Sequence, residues 1–227
     1  VAFLGNTEGL VRVNTVTNVP SAVEAEYSRE IREGLDPAVL EVGPPPIPEL
    51  AGPWRMRLAQ AEGADLDLIH GWMNAPHVAP YWDQAWPRER WARALAGQLA
   101  GTYSRPFVVD LDGEPFAYVE LYRAARDVVA AHYDARPHDV GYHVAIGDKD
   151  RVGKGIGGQL FKAVIDGVFA AEAECARIVS EPDARNEAAR RMDVKLGLHF
   201  LGEVDLPHKR AALFVYPRTT ADVPTLV

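Results

Sequence analysis

The stretch Arg151-Val152-Gly153-Lys154-Gly155-Ile156-Gly157-Gly158 puts four glycines and a lysine into eight residues. It lies between a predicted strand at 139–147 and the longest predicted helix, 155–171. Glycine lets a backbone approach a ligand with no Cβ in the way. Successive N–H groups at a helix N-terminus form a nest for phosphate or pyrophosphate, and Lys154 adds a cation. The plain alternative is a flexible loop without function. Gly153, Gly155 and Gly158 approach the dinucleotide spacing G-x-G-x-x-G. A dinucleotide fold, however, sets that loop after its first strand, and here it follows four predicted strands with little chain left. A P-loop needs Gly-Lys-Ser or Gly-Lys-Thr, which the sequence lacks.

Downstream of the loop, Leu160, Val164, Ile165 and Val168 form the inward stripe of the long helix. A strand at 175–180 follows, then a helix over 186–196 closed by Gly197, then strands at 200–204 and 211–216. Upstream, Trp54 to Leu58 alternates as a strand, and a helix over 65–74 is broken by Pro76 and Pro80. Pro87 opens another helix, with Trp91, Leu95 and Leu99 on its apolar face. Strands at 106–111 and 116–122 flank the turn Asp112-Gly113, and 124–132 reads as a short helix. The order predicts an α/β (α+β) fold: a mixed, mostly antiparallel twisted sheet flanked by helices.

Residues 1–50 read differently. The alternation at 10–19 suggests a strand, and 21–33 suggests a polar helix with Ser21 as N-cap and Glu24 as its capping-box partner. Four prolines follow in five positions, Pro44, Pro45, Pro46 and Pro48, which predicts a stiff linker. The division expected is an N-terminal extension and proline-rich linker at 1–50, a catalytic domain at 51–218 and a C-terminal tail at 219–227. The extension is expected to take no part in catalysis.

Acids outnumber bases by 32 to 24 among 227 residues, for a net charge of −8. That balance argues against broad nucleic-acid binding. Cys175 is the single cysteine, so neither an internal disulfide framework nor a cysteine metal cluster is expected, and a reducing cytoplasm fits. No apolar run approaches a membrane span of ~18 residues, and residues 1–10 lack the pattern of a signal peptide.

A strand, the Gly155-x-Gly157 loop, a long helix, a strand, and Asn186 opening a helix that ends in Gly197 together resemble the core of the GNAT acyltransferases. The family's pyrophosphate signature, Gln/Arg-x-x-Gly-x-Gly/Ala, is met at Gly155 and Gly157 but has Val152 at its first position. The resemblance covers about residues 54–217. Four further motifs resemble the siderophore-biosynthesis branch, which includes aerobactin-type N6-hydroxylysine acetyltransferases and mycobactin-type lysine N-acyltransferases. They are Trp72-Met73-Asn74-Ala75-Pro76-His77-Val78-Ala79 with Trp82, Asp139-Val140-Gly141-Tyr142-His143, Glu181-Pro182-Asp183-Ala184-Arg185-Asn186, and the run from Gly202 to Arg210.

Acyl transfer from a thioester needs a deprotonated amine, a donor for the oxyanion and a route for the leaving thiolate. The resemblance makes His143 the general base and Asp183 its partner or the holder of the substrate ammonium. Their structural alternatives are a core histidine and a helix-capping aspartate. The acyl-CoA site implied comprises Val144, Ile146, Val152, Gly153, Lys154, Gly155, Ile156, Gly157, Gly158 and Asn186. His77, Trp82, Glu120 and Lys209 are the candidates on the acceptor side. Where the family often carries a thiolate-protonating tyrosine, seven residues after the asparagine, this chain has Asp193. His138 and His143 lack a third ligand pattern, so no metal is expected.

The function implied is acylation, with acetyl-CoA or another acyl-CoA as cosubstrate and no tightly bound cofactor. The acceptor is the side-chain amine or hydroxylamine of lysine, N6-hydroxylysine or a related diamine, for a hydroxamate siderophore. An acyl carrier protein stands as an alternative donor. The alternatives to this function are acetylation of another amine, such as an aminoglycoside, and a non-catalytic acyl-CoA-binding module.

Overall fold

The computed structural model describes residues 29–227. The strand predicted at 10–19 and most of the helix predicted at 21–33 lie outside them. The described end of that helix is extended instead. Glu30 bridges to Asp127, Ile31 N–H donates to the Arg126 carbonyl, and Val128 N–H donates to that of Arg29.

Seven strands form one sheet in the order β1-β2-β3-β4-β5-β7-β6. They are β1 (Trp54–Leu58), β2 (Ser104–Leu111), β3 (Glu114–Arg123), β4 (Val140–Ile146), β5 (Arg177–Ser180), β6 (His199–Leu206) and β7 (Lys209–Pro217). Every pairing is antiparallel except β4–β5. That parallel pair joins only Val140 to Ile178 and Gly141 to Val179, and beyond Gly141 the two strands part. The expected mixed, mostly antiparallel sheet is therefore present.

Six α-helices lie among the described residues: α1 (Pro37–Leu40), α2 (Gly63–Met73), α3 (Ala79–Trp82), α4 (Arg88–Ala100), α5 (Ile156–Ala171) and α6 (Glu187–Leu196). The crossover helix α5 buries Leu160, Val164, Ile165 and Val168 in the main core, beside Phe107, Phe116, Tyr142 and Phe214. A second core, with Leu66, Ile69, Met73, Trp91 and Leu95, packs α2 and α4 on Val108 and Tyr118. Leu99, predicted to face inward, is instead 40% exposed, because α4 has passed the edge of that core by its last turn. Residues 124–132 form two 3₁₀ turns, Ala124–Arg126 and Val128–His132, rather than one helix. Asp127 caps the second, accepting from Val129 N–H, which divides the segment.

The proline-rich segment is not free of the domain. Arg123 donates to the carbonyls of Gly43 and Pro44, and Arg105 to that of Pro45. A Cβ on Gly167 of α5 would sit 3.0 Å from the Glu49 carbonyl oxygen. Short of N–H donors at its prolines, this stretch offers carbonyls that buried Arg123 and half-buried Arg105 take up. The tail is also bound: Tyr133 bridges to Leu226, and buried Arg177 donates to the Asp222 carbonyl. No helix of the described residues is long and apolar enough to cross a membrane.

Candidate active site

The site lies where β4 leaves β5. Along β4 successive side chains face opposite ways, so Tyr142 and His143 look to the two sides of the sheet. One cavity of about 360 Å³ is walled by both, together with Trp82, Val144, Ser180, Glu181, Asp183, Asn186, Asp193 and Lys209. Its size suits a small ligand.

On the His143 side the register sets Glu120 of β3 directly opposite, and Glu120 Oε2 is 3.0 Å from His143 Nδ1. Glu181, at the end of β5, brings Oε1 within 2.6 Å of Nε2. Tyr122 stacks on the imidazole with centroids 4.8 Å apart, and Trp82 meets its edge at 5.6 Å. The stack depends on Gly141, because a Cβ there would lie 2.0 Å from Tyr122 Cζ. Tyr122 Oη donates to Glu181 Oε2 at 2.8 Å, and Lys209 Nζ is 3.6 Å from Oε1.

Arg29 completes this cluster from the N-terminal segment. Its Nη2 is 2.6 Å from Glu181 Oε1 and 3.1 Å from Asp127 Oδ2, and its Nη1 lies against both ring nitrogens of His143. Its guanidinium carbon is 4.9 Å from the Tyr122 ring centre. Burial and the Arg29 charge push the His143 pKa down, but Glu181 and the bond to Glu120 outweigh them and leave it raised. Glu181 is held well below the usual carboxylate range: burial opposes ionisation, and His143, Arg29 and Lys209 overcome it. Burial depresses Lys209 despite Glu181.

On the Tyr142 side, Asp193 of α6 is 1% exposed. It accepts from Ser180 Oγ at 2.9 Å and Tyr142 Oη at 3.2 Å. Burial, which those two hydroxyls offset only in part, pushes its pKa up to about 7.

The glycine loop forms the start of α5. Gly155 is its N-cap at φ 81°, and no side chain caps the helix, so its first N–H groups have no side-chain acceptor. Val152 to Gly155 are exposed and Gly157 is buried, which fits a phosphate cradle open to solvent. The loop lies outside the wall of the His143 cavity.

The structure sorts the other candidates. Asn186 caps α6, accepting from Ala189 N–H at 3.1 Å, and its side chain also reaches the cavity wall. Asp183 lines the cavity but does not pair with His143. Its carboxylate binds the Arg185 guanidinium at 2.7 and 2.9 Å and the Arg185 backbone N–H at 2.8 Å. The carboxylates on His143 are Glu120 and Glu181. His77 lies off the cavity wall, with Nε2 2.9 Å from the Ile146 carbonyl oxygen, so its ring tethers the loop before α3 to the end of β4. Ile146 is partly buried against the main core. Sequence reasoning missed Arg29 and the role of Glu181. Glu181 stood inside a quoted motif, but alternation cannot say which of two nearby acids turns inward. Arg29 is separated from His143 by 114 residues, and no local pattern marks it.

Residues 62–206 match the acetyltransferase (GNAT) domain family. The chain belongs to this family. The GNAT chain is 42% identical over 209 residues to the lysine N-acyltransferase MbtK of Mycobacterium sp. (strain MCS), covering 92% of this chain and 85% of that protein. It is 30% identical over 153 residues to the N-hydroxyputrescine acetyltransferase of Acinetobacter baumannii, covering 66% and 71%. A solved aminoglycoside acetyltransferase AAC(6')-Ib with coenzyme A shares the fold at a TM-score of 0.62, covering 73% and 95%, with 23% identity. This GNAT chain is an acyltransferase.

Proposed function

We propose that the chain transfers an acyl group from acyl-CoA to the side-chain nitrogen of lysine or a closely related amine or hydroxylamine. The observation that carries this reading is the wedge between β4 and β5. It places His143, flanked by two carboxylates, in a cavity fit for a small acceptor, in a chain similar over most of its length to lysine N-acyltransferases. Neighbours of this fold hold coenzyme A, and the uncapped start of α5 is suited to take its pyrophosphate, with Val144 and Asn186 along the pantetheine arm.

In the step proposed, the neutral form of His143, populated above its raised pKa, donates Nδ1–H to Glu120, which leaves the Nε2 lone pair for the acceptor. The acceptor ammonium gives a proton to Nε2, and its freed lone pair attacks the thioester carbonyl. The tetrahedral intermediate collapses with cleavage of the carbon–sulfur bond. The thiolate takes a proton from Asp193, relayed by the Ser180 hydroxyl. The second nitrogen proton, lost as the intermediate collapses to the amide, passes through solvent to restore Asp193, and His143 returns its own proton to solvent. The products are the N-acyl compound and free CoA thiol. Lys209 on the cavity wall meets the acceptor's carboxylate. A hydroxylamine acceptor gives a hydroxamate, an oxygen ligand for ferric iron, which is the use proposed in siderophore assembly.

Thiol release from acetyl-CoA and longer acyl-CoAs is the test, with lysine, N6-hydroxylysine, N-hydroxycadaverine, N-hydroxyputrescine and an aminoglycoside as acceptors. Turnover is expected to be greatest with the lysine pair. Preference for the aminoglycoside, or CoA binding without turnover on any acceptor, would overturn the proposal.

A further inference from the structure

Arg29 makes demands on His143 that cannot all be met together. His143 Nε2 lies beside both Glu181 Oε1 and Arg29 Nη1. A protonated Nε2 donates to Glu181 and repels the arginine N–H, whereas a deprotonated Nε2 accepts from Arg29 and has nothing to give Glu181. In the second arrangement Glu181 is still satisfied, by Arg29 Nη2 and Tyr122 Oη. Arg29 then fills the lone pair that a general base must keep open.

The surroundings of the guanidinium are those of a cation site. Asp127 and Glu181 have fully buried carboxylates, and the Tyr122 face supplies a cation–π wall. Arginine fits this place imperfectly: among the described residues its buried Nε–H finds no acceptor. A compact ammonium has no such rigid fork of donors to satisfy. The segment carrying Arg29 is held to the domain by a narrow strap, with the Ile31 N–H to Arg126 and Val128 N–H to Arg29 bonds and the Glu30–Asp127 bridge.

We propose that Tyr122, Asp127 and Glu181 form the subsite for the acceptor's cationic nitrogen beside His143, and that Arg29 occupies it as an internal competitor which the acceptor displaces. This rests on the reading of His143 as the base for an amine acceptor and adds where that amine binds and what it must push aside. A site open one-tenth of the time weakens apparent affinity about tenfold, so removing Arg29 tightens binding of a small ammonium by about that factor.

The probe is n-pentylammonium, binding to the CoA complex of the full chain, measured by calorimetry in the parent, Arg29→Ala and Arg29→Gln. About tenfold tighter binding in either folded variant, with guanidinium ion competing against the probe, supports the proposal. Equal or weaker binding in the folded variants overturns it and makes Arg29 part of the acceptor's own site. Should both variants fail to fold, amide exchange in the parent decides. Saturating n-pentylammonium is expected to speed exchange at Ile31 and Val128, whose bonds hold the strap, and unchanged exchange there overturns the displacement. Binding is read without turnover, so an absence of acyl transfer would sink the proposed reaction while leaving the subsite to its own result.

Discussion

Glu181 and Asp193 are each 1% exposed, on the two sides of the wedge, and their pKa values end up shifted in opposite directions. Burial raises the pKa of both. Around Glu181 the positive groups His143, Arg29 and Lys209 reverse that effect. Around Asp193 the hydroxyls of Ser180 and Tyr142 offset burial only in part, the Glu181 charge adds to it, and the carboxyl pKa is pushed up to about 7. Depth is equal, so the neighbours decide protonation. In the reaction proposed, one side of β4 takes a proton and the other gives one.

The largest stability effect expected is at Glu181. Glu181→Gln removes the buried anion facing Arg29, Lys209 and His143, and breaking such a pair costs about 3–5 kcal/mol. Denaturant unfolding at pH 7 reads the loss. In the folded fraction, an NMR titration is expected to show the His143 pKa lowered, because an anion that raises it is gone. An unchanged His143 pKa would break the contrast between the two sides.

Asp193→Asn acts with the opposite sign. The folded pKa of Asp193 lies above its unfolded value of 3.8. Below about pH 4 both states are protonated and the residue contributes nothing. As pH rises toward 7 the unfolded state ionises first, and Asp193 destabilises the fold by an amount that levels off above pH 7. By linkage that is at most about 4 kcal/mol. The variant is therefore expected to gain stability over the parent between pH 4 and 7, with kcat reduced and its alkaline limb near pH 7 lost. A parallel pair of stability–pH curves would show that the Asp193 pKa is unshifted on folding and would break the contrast.

Two smaller effects sharpen the comparison. Gly155→Val puts a branched side chain at φ 81°, a strained backbone for any L residue, in the proposed phosphate cradle. CoA affinity is expected to fall about tenfold, roughly 1.4 kcal/mol, while both carboxyl groups titrate as before. Asp183→Asn is expected to change stability by no more than about 1 kcal/mol, since its Arg185 partner is largely exposed. It should leave the His143 pKa in place, in contrast to Glu181→Gln.

The sheet was legible in the sequence because its signals are local: alternation in the strands, Asp112-Gly113 at the hairpin, Gly155 and Gly197 at the helix ends. His143, Trp82 and Lys209 were also legible, and the fold brings them to one cavity. The pairing of His143 was not. Glu120 reaches it through strand register and Glu181 through the divergence of β5 from β4, and neither is a spacing along the chain. The proline-rich segment misled for a physical reason. Its composition excludes helix and central strand, but says nothing of the buried Arg123 that its carbonyls would satisfy. Separating residues 1–50 from the site on that basis overlooked Arg29.

The most direct test of the account compares kcat for a lysine acceptor and a hydroxylamine acceptor in the parent and in His143→Ala, with CoA binding measured alongside. An amine arrives protonated and needs a base, whereas a hydroxylamine arrives mostly neutral. The account predicts a loss of about 10²–10⁴-fold in kcat with the amine, a much smaller loss with the hydroxylamine, and unchanged CoA affinity. Near-parental rates with both acceptors in His143→Ala would contradict it and leave His143 as packing against Tyr122 and Trp82.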